Sequence, residues 1–208
     1  MLPLRILANI MKKKYLFLCL LPLAACQKSA DDELPKDQQL MPLASGNFWV
    51  YDNKVYNADG TYCCKEEDQR WEVLGKGSQE GFFAFDQAMS DEVFSSADKI
   101  IHHMVDPNEV PIEFHRSSTL DTFNVYTYPE PDGFMAKSIA FPGTFTVDTN
   151  ECLKNEYILY DREGVPSLKE VHYVKPGTGY IRMDTFDWNE MGEWQLDMRS
   201  DLLSFELK

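Results

Sequence analysis

Apolar residues beyond position 40 tend to recur at every second position, and this period constrains the fold more than any other feature of the chain. Trp49, Tyr51 and Val55 share one face of a run that ends at the turn sequence Asn57-Ala58-Asp59-Gly60. Clusters of Gly, Pro, Asn and Asp separate this run from further apolar runs at 71–74, 82–85, 100–105, 123–128, 134–141, 157–160, 171–174, 180–186 and 194–207. Each run predicts a β-strand, and the turn clusters predict hairpin connections between them.

Helical periodicity is weak in the same region. No stretch keeps a 3.6-residue period for three turns, and the best helix candidate is the short acidic segment 90–97. The sequence therefore predicts a mainly β fold: a single antiparallel curved sheet, a half-barrel or a closed barrel, with little helix. In the last run, apolar residues stand at even positions up to Met198 and at odd positions from Leu203. Because side chains alternate strictly along a strand, we expect a β-bulge near residues 200–202.

The charge of the chain excludes one class of partner. Its 208 residues include 20 Lys and Arg against 34 Asp and Glu, and 44% of them are hydrophobic. This composition suits one globular domain with a sizeable core. The formal charge of −14 argues against nucleic acid as a partner, because phosphate binding depends on clustered Lys and Arg.

The N-terminus has the parts of a secretory signal. Lys12, Lys13 and Lys14 precede an apolar run at 15–25, which small residues end before Cys26. At 11 residues the run is shorter than the roughly 20 that a transmembrane helix needs. The alternative, a short buried helix, would place three lysines at the entrance to a core element. We therefore predict a signal peptide at 1–25, with Met11 favoured as the translation start and Met1 as the alternative.

The residues around the cut carry a resemblance to a known class. Leu23-Ala24-Ala25-Cys26 resembles the lipobox of bacterial lipoproteins. The resemblance implies cleavage between Ala25 and Cys26, and a thioether-linked diacylglycerol on Cys26 with a further acyl chain on its amine. Two or more acyl chains give stable anchoring, so outer-membrane lipid becomes the first expected partner. The mature chain would then carry a formal charge of −18, since residues 1–25 hold four basic residues and no acids.

The segment that follows, 26–40, reads as the lipidated cysteine and a flexible acidic tether. Its 13 residues from 27 to 39 would span about 20 Å as a random coil. Asp31-Asp32-Glu33 resembles the export signal of surface lipoproteins in Bacteroidota. This resemblance implies an outer-membrane location facing the cell surface, with the periplasmic face as the alternative.

Three landmarks in 41–208 resemble Bacteroidota lipoproteins, and they occur in the expected order. The first is Pro42-Leu43 with Gly46-Asn47-Phe48-Trp49-Val50-Tyr51, similar to an opening strand of these proteins. The second is Gly143-Thr144-Phe145 with Cys152-Leu153, and the third is the hairpin Gly177-Thr178-Gly179-Tyr180-Ile181. The resemblance implies one antiparallel β domain over 41–208, of the half-barrel type seen in periplasmic lipoprotein carriers.

Cysteine pairing is left open by the sequence. Cys19 leaves with the signal and Cys26 is acylated, so three cysteines remain in an oxidising compartment. We expect Cys152 to pair with Cys63 or Cys64, with Cys64 slightly favoured, while three free thiols are the main alternative. C-x-x-C spacing is absent, which disfavours zinc.

The sequence offers no catalytic motif and predicts no cofactor and no metal site. His102 and His103 are neighbours on a predicted strand and face opposite sides, so they cannot share a metal ion. The segment 187–198 superficially suggests a calcium loop, but its positions five and twelve are both Met. An acidic hairpin loop is the favoured interpretation there, and an irregular calcium site is the alternative.

The aromatic residues have two interpretations. Trp49, Tyr51 and Trp194 either pack in the core or line a pocket for a sugar or apolar ligand. We therefore expect a non-enzymatic lipid-anchored lipoprotein whose β domain binds an envelope protein or a glycan. The alternatives are an envelope or polysaccharide hydrolase with paired carboxylates, and a structural component of an envelope complex.

Overall fold

In the residues that the structure describes, thirteen β-strands hydrogen-bond into one antiparallel sheet that curls into a half-barrel. The computed structural model describes residues 39–77, 83–86, 93–97, 100–104, 112–116, 121–127 and 133–208. The strands are β1 Phe48–Tyr56, β2 Tyr62–Lys65, β3 Gln69–Lys76, β4 Phe83–Phe85, β5 Val93–Ala97, β6 Ile100–Met104, β7 Ile112–Arg116, β8 Asp121–Thr127, β9 Met135–Val147, β10 Asn150–Tyr160, β11 Pro166–Lys175, β12 Gly179–Trp188 and β13 Trp194–Glu206. The predicted fold class is confirmed, and every predicted apolar run overlaps a strand.

The best helix candidate of the sequence, 90–97, is not helical where the structure describes it, and residues 90–92 lie outside the described ranges. Val93–Ala97 forms strand β5, which pairs with β4 on one side and β6 on the other. A helix of this length would be marginal in isolation, and the neighbouring strand Ile100–Met104 satisfies the backbone groups of β5 instead. The part of the chain that the structure describes contains no helix.

The sheet order explains how the domain curls. The strands follow the order β7-β6-β5-β4-β3-β1-β13-β12-β11-β10-β9-β8, and β2 pairs with the second half of β1. Trp71 on β3 and Tyr180 on β12 have ring centroids only 5.8 Å apart, although β1 and β13 lie between their strands. Three strand spacings measure about 14 Å along a flat sheet. These rings therefore lie on the concave face, which encloses the core.

Strand β13 contains the predicted bulge and a second one. Tyr51 pairs with Leu202 and Val50 with Ser204, so Leu203 is the extra residue and the predicted bulge is confirmed one residue further along. A second register shift skips Asp197, because Thr185 pairs with Met198 and Phe186 with Leu196. Residues before and after Asp197 therefore face opposite sides of the sheet.

Three hairpin turns share one sequence pattern. Each has Asn or Asp first and Gly fourth, and each Gly adopts a φ of +77° to +79°. In two of them the first side chain caps the turn: Asp161 Oδ1 and Asn189 Oδ1 each accept two backbone N–H bonds of 2.8–3.0 Å. The turns are 57–61, 161–165 and 189–193. We call this end of the sheet the tip end; the opposite end is the base.

The convex face carries a chain of ion pairs across four strands. Neighbouring members are 2.6–3.5 Å apart. In order, the chain is Asp68, Lys65, Asp52, Lys54, Asp201, Arg182 and Asp148. Alternating charges on β2, β1, β13 and β12 thus stabilise the sheet on the side away from the core.

The segment before β1 closes the base. Leu40 and Met41 are fully buried in the core, and the Gly177 N–H donates to Gln39 O at 2.6 Å. Asn47, which is also fully buried, donates from Nδ2 to Pro42 O and accepts from Lys208 N, both at 2.8 Å. The N-terminal segment, the β11–β12 turn and the C-terminus are therefore held together at one end.

Candidate functional site

Trp49 and Tyr51, two of the predicted ligand-facing aromatics, lie in the core of the base. Neither has exposed surface, and they belong to one cluster with Trp71 and Tyr180. Trp49 Nε1 donates to Thr178 O at 2.6 Å, and the Tyr51 hydroxyl donates to Tyr180 O at 3.3 Å. Burial raises the pKa of Tyr51 well above its ordinary value. Their contacts are those of core packing, the first of the two interpretations.

Trp194 lies on the other face of the sheet. Its ring meets Trp188 edge-on at 4.9 Å, and Lys169 Nζ lies 4.9 Å from its centroid and 4.4 Å from that of Phe186. Phe186 is three residues beyond Met183, which packs against the core, so this group is convex. The structure therefore does not bring Trp194 together with Trp49 and Tyr51.

The cysteines expected to pair are not joined. Cys64 is exposed on β2 and Cys152 is buried on β10, and both are free, as is Cys63. The sheet order places β1, β13, β12 and β11 between their strands. Burial raises the pKa of the Cys152 thiol to about 11, despite the opposing effect of Lys175 and Arg182.

A belt of polar side chains crosses the concave face above the aromatic core. Strand register aligns its first four members in one row with Met183, and Ser138 lies in the next row. All five are at least 95% buried: Asn53, Ser200, His172, Asn155 and Ser138. Asn53 Oδ1 and Ser138 Oγ have no hydrogen-bond partner within the described structure. The interior of the half-barrel is thus lined by polar, hydrogen-bonding side chains.

A depression of about 400 Å³ opens at the base, within the size range of small-molecule sites. It forms because the β12–β13 ladder ends at the pair Arg182 and Asp201, while β13 continues along β1 to Glu206. The lining residues come from three stretches of chain, 148–150, 175–181 and 201–205: Asp148, Asn150, Lys175, Thr178, Ile181, Asp201, Leu202, Leu203, Ser204 and Phe205. We call this feature the base depression and treat it as the candidate functional site.

The base depression combines an apolar wall with charged groups. Leu203 is 53% exposed and Phe205 is 47% exposed, which is unusual for neighbouring large apolar residues. Lys175 Nζ donates to Asn150 Oδ1 at 2.9 Å, a neutral partner. Burial raises the pKa of Asp201, but hydrogen bonds from Lys54 and Arg182 outweigh this effect and hold it below its ordinary value. An amphiphilic ligand fits this combination better than a purely apolar one.

Sequence reasoning did not find the base depression. For Leu203 and Phe205, the apolar pattern indicates only a change of parity and a β-bulge near residues 200–202. Lys175 carries no signal of its own in the sequence. The depression forms where β13 extends beyond the end of its ladder with β12. Finding such a position requires knowing which strands pair, and a single sequence does not supply that.

Other predicted chemistry is not assembled in the described residues. No group of three or more His, Cys, Asp or Glu side chains in these ranges could hold a metal ion. The Asn189 loop, which superficially suggested calcium, is an ordinary hairpin turn capped by its own side chain. Asp184 is paired with Arg199 at 2.6 Å, whereas Asp187 and Asp197 are exposed. Burial, and next the charge of Asp197, raise the pKa of Asp187.

Among the described residues no helix is long and apolar enough to cross a membrane.

No protein-family model and no curated protein matches this sequence. Three solved structures are similar in shape. A protein described as exported, with a YmcC-like fold, from Bacteroides fragilis has a TM-score of 0.48 at 13% identity, covering 80% of this chain and 98% of its own. A protein described as a lipoprotein from Parabacteroides distasonis has a TM-score of 0.41 at 12% identity, covering 81% and 99%.

A LolA superfamily protein from Nitrosomonas europaea has a TM-score of 0.32 at 12% identity, covering 83% of this chain and 90% of its own. With identities of 12–13% and TM-scores below 0.5, they assign neither a ligand nor an activity to this chain.

Proposed function

We propose that this chain is a lipid-anchored lipoprotein of the outer membrane whose half-barrel binds a ligand or partner of the cell envelope. The lipobox ending at Cys26 supports the anchor. The base depression is the observation that carries the binding role, because it combines a volume of about 400 Å³ with exposed apolar and charged groups. We propose a binding role rather than a catalytic one.

The hydrogen bond between Gly177 N and Gln39 O supports an orientation of the domain. The tether from residue 27 leads into Gln39 at the base, so the base faces the membrane and the three acidic hairpin turns point away from it. A tether of 13 residues spans about 20 Å and permits the base to approach the bilayer.

Fractionation of cells tests the anchor. The wild-type chain is expected in the outer-membrane fraction, and a Cys26→Ser variant in the soluble fraction, since the acyl chains supply the attachment. A Cys19→Ser variant is the matched control and should fractionate like wild type. Equal membrane attachment of wild type and Cys26→Ser would contradict the proposal.

Protease treatment of intact cells tests the side of the membrane. If the chain faces the cell surface, as the acidic triplet at 31–33 indicates, it is cut together with surface markers while periplasmic markers survive. Protection of the chain under the same conditions would assign it to the periplasmic face.

A further inference from the structure

We propose that the base depression binds a zwitterionic glycerophospholipid with a primary amine, of the phosphatidylethanolamine type, in the membrane that anchors the chain. The inference rests on the proposed anchor only for bringing the base to that membrane. It names the ligand of the candidate site and gives the domain a second, non-covalent contact with the bilayer.

The apolar wall would meet the upper acyl region of such a lipid. Leu203 and Phe205 lie two residues apart on the part of β13 that extends beyond its ladder with β12. About half of each side chain is exposed. Ile181 and Leu202 continue the wall inward from them. Exposed apolar residues gathered beside a cavity are a feature of sites that meet lipid or protein.

The charged groups of the lining match the headgroup. Lys175 donates to an amide oxygen, and no carboxylate of the described residues forms a salt bridge with it, so its charge is available to a phosphate. Asp148 is 74% exposed and lies 3.5 Å from Arg182, which Asp201 holds more closely at 2.6 Å. One cation and one exposed carboxylate at the same depression are complementary to a phosphate and a primary ammonium.

The tether enters the domain beside the base depression, which favours a lipid of the anchoring membrane as the ligand. Gln39, where the described chain begins, contacts Gly177, the neighbour of the lining residue Thr178. A short tether holds the depression at a high effective concentration of membrane lipid. The acidic turns at the tip end do not oppose this contact, because charges are screened beyond about 8 Å.

Vesicle co-sedimentation of the mature chain from residue 26 with Cys26→Ser tests the site without the anchor. The probes are vesicles of phosphatidylcholine alone, and the same lipid mixed with phosphatidylethanolamine or with phosphatidylglycerol. We expect the strongest binding to the phosphatidylethanolamine mixture. The double variant Leu203→Asn/Phe205→Asn should bind about tenfold more weakly, because it removes the apolar wall. Lys175→Gln should keep the wild-type circular dichroism spectrum and bind about fivefold more weakly.

Matched controls lie at the tip end. Val165→Asn/Met191→Asn removes two exposed apolar side chains there, and Arg162→Gln removes one charge; both should bind like wild type. The proposal would be overturned if the Cys26→Ser chain without further substitutions failed to sediment, or if it bound the phosphatidylglycerol mixture equally well. Equal losses of binding in the tip-end controls would also overturn it. Competition by soluble glycerophosphoethanolamine at the same concentration as the lipid would show that the headgroup alone is the ligand, and would overturn the membrane contact. Loss of Cys26 acylation in cells, with vesicle binding retained, would refute the anchor and leave the lipid site.

Discussion

Trp49 joins several parts of the base. Its ring is fully buried, packs 6.2 Å from that of Phe85, and donates to Thr178 O in the β11–β12 turn. Gly179 lies directly against it, since a Cβ built there would be 3.3 Å from Trp49 Nε1 and 3.2 Å from Met41 Cγ. The residues that carry the family resemblance thus serve, at this scale, to close one end of the sheet.

Replacing Trp49 tests this role. Trp49→Phe should lower the free energy of unfolding by about 2 kcal/mol, because it leaves a cavity and an unpaired carbonyl at Thr178. The matched variant Trp194→Phe, on the convex face, should cost less than about 1 kcal/mol. Urea denaturation measures both, and equal losses would contradict the core assignment of Trp49.

A second residue-scale prediction concerns backbone conformation. Gly179→Ala should cost about 2 to 3 kcal/mol, since φ is +102° and the new Cβ meets Met41 and Trp49. Gly164→Ala has a similar positive φ of +79° but nothing within 4 Å, so it should cost about 1 kcal/mol. The difference in urea midpoint between the two variants isolates the packing contribution, and its absence would show that strain alone matters.

The cysteines give a residue-scale prediction of reactivity. At pH 8 an alkylating reagent should modify the exposed thiols of Cys63 and Cys64 and leave Cys152 intact. A thiol pKa of about 11 leaves about a thousandth of Cys152 as thiolate. Peptide mass spectrometry without reductant measures this, and a bridge between Cys64 and Cys152 would contradict the structure.

At the scale of elements, the ion-pair chain ties β2, β1, β13 and β12 together on the convex face. Hydrogen bonds from Lys65 lower the pKa of Asp52, and Lys54 and Arg182 together hold that of Asp201 below its ordinary value. Carboxylates with a depressed folded-state pKa stabilise the fold above their unfolded pKa of about 4. That stabilisation is lost as the pH falls through the folded pKa, so we expect stability to fall below about pH 4.

The variant Asp201→Asn tests this dependence. It should lower the free energy of unfolding at pH 7 by about 2 kcal/mol, and flatten its fall below about pH 4. Asp148→Asn is the control: its carboxylate is 74% exposed, so the change should be within about 0.5 kcal/mol. An Asp201→Asn profile parallel to wild type at acid pH would contradict the role of this carboxylate.

The sequence predicted those features of the strands that alter the alternation of apolar and polar residues. The bulge at Leu203 was foreseeable because apolar residues change parity there. The shift at Asp197 was not, since the skipped residue is polar and exposed and so leaves the apolar pattern unbroken. The sequence could not decide the conformation of β5, because that depends on pairing with β4 and β6, and a single sequence does not supply these partners.

At the scale of the whole molecule, the two ends of the sheet differ in chemistry. The tip end carries three turns of one sequence pattern, each closed by its own hydrogen bonds. The base carries the N-terminal segment, the C-terminus and the base depression. The sequence predicts the half-barrel and the anchor. The candidate site depends on three separate stretches of chain and on the point where the β12–β13 ladder ends, so no local sequence pattern predicts it.

Mass spectrometry of the N-terminal peptide, from protein purified out of cell membranes, tests the central claim most directly. If the chain is a lipid-anchored lipoprotein, the peptide begins at Cys26 and carries the added mass of a diacylglyceryl group and an amide-linked acyl chain. A peptide that begins at Met1 or Met11, or one that begins at Cys26 without added mass, would contradict it.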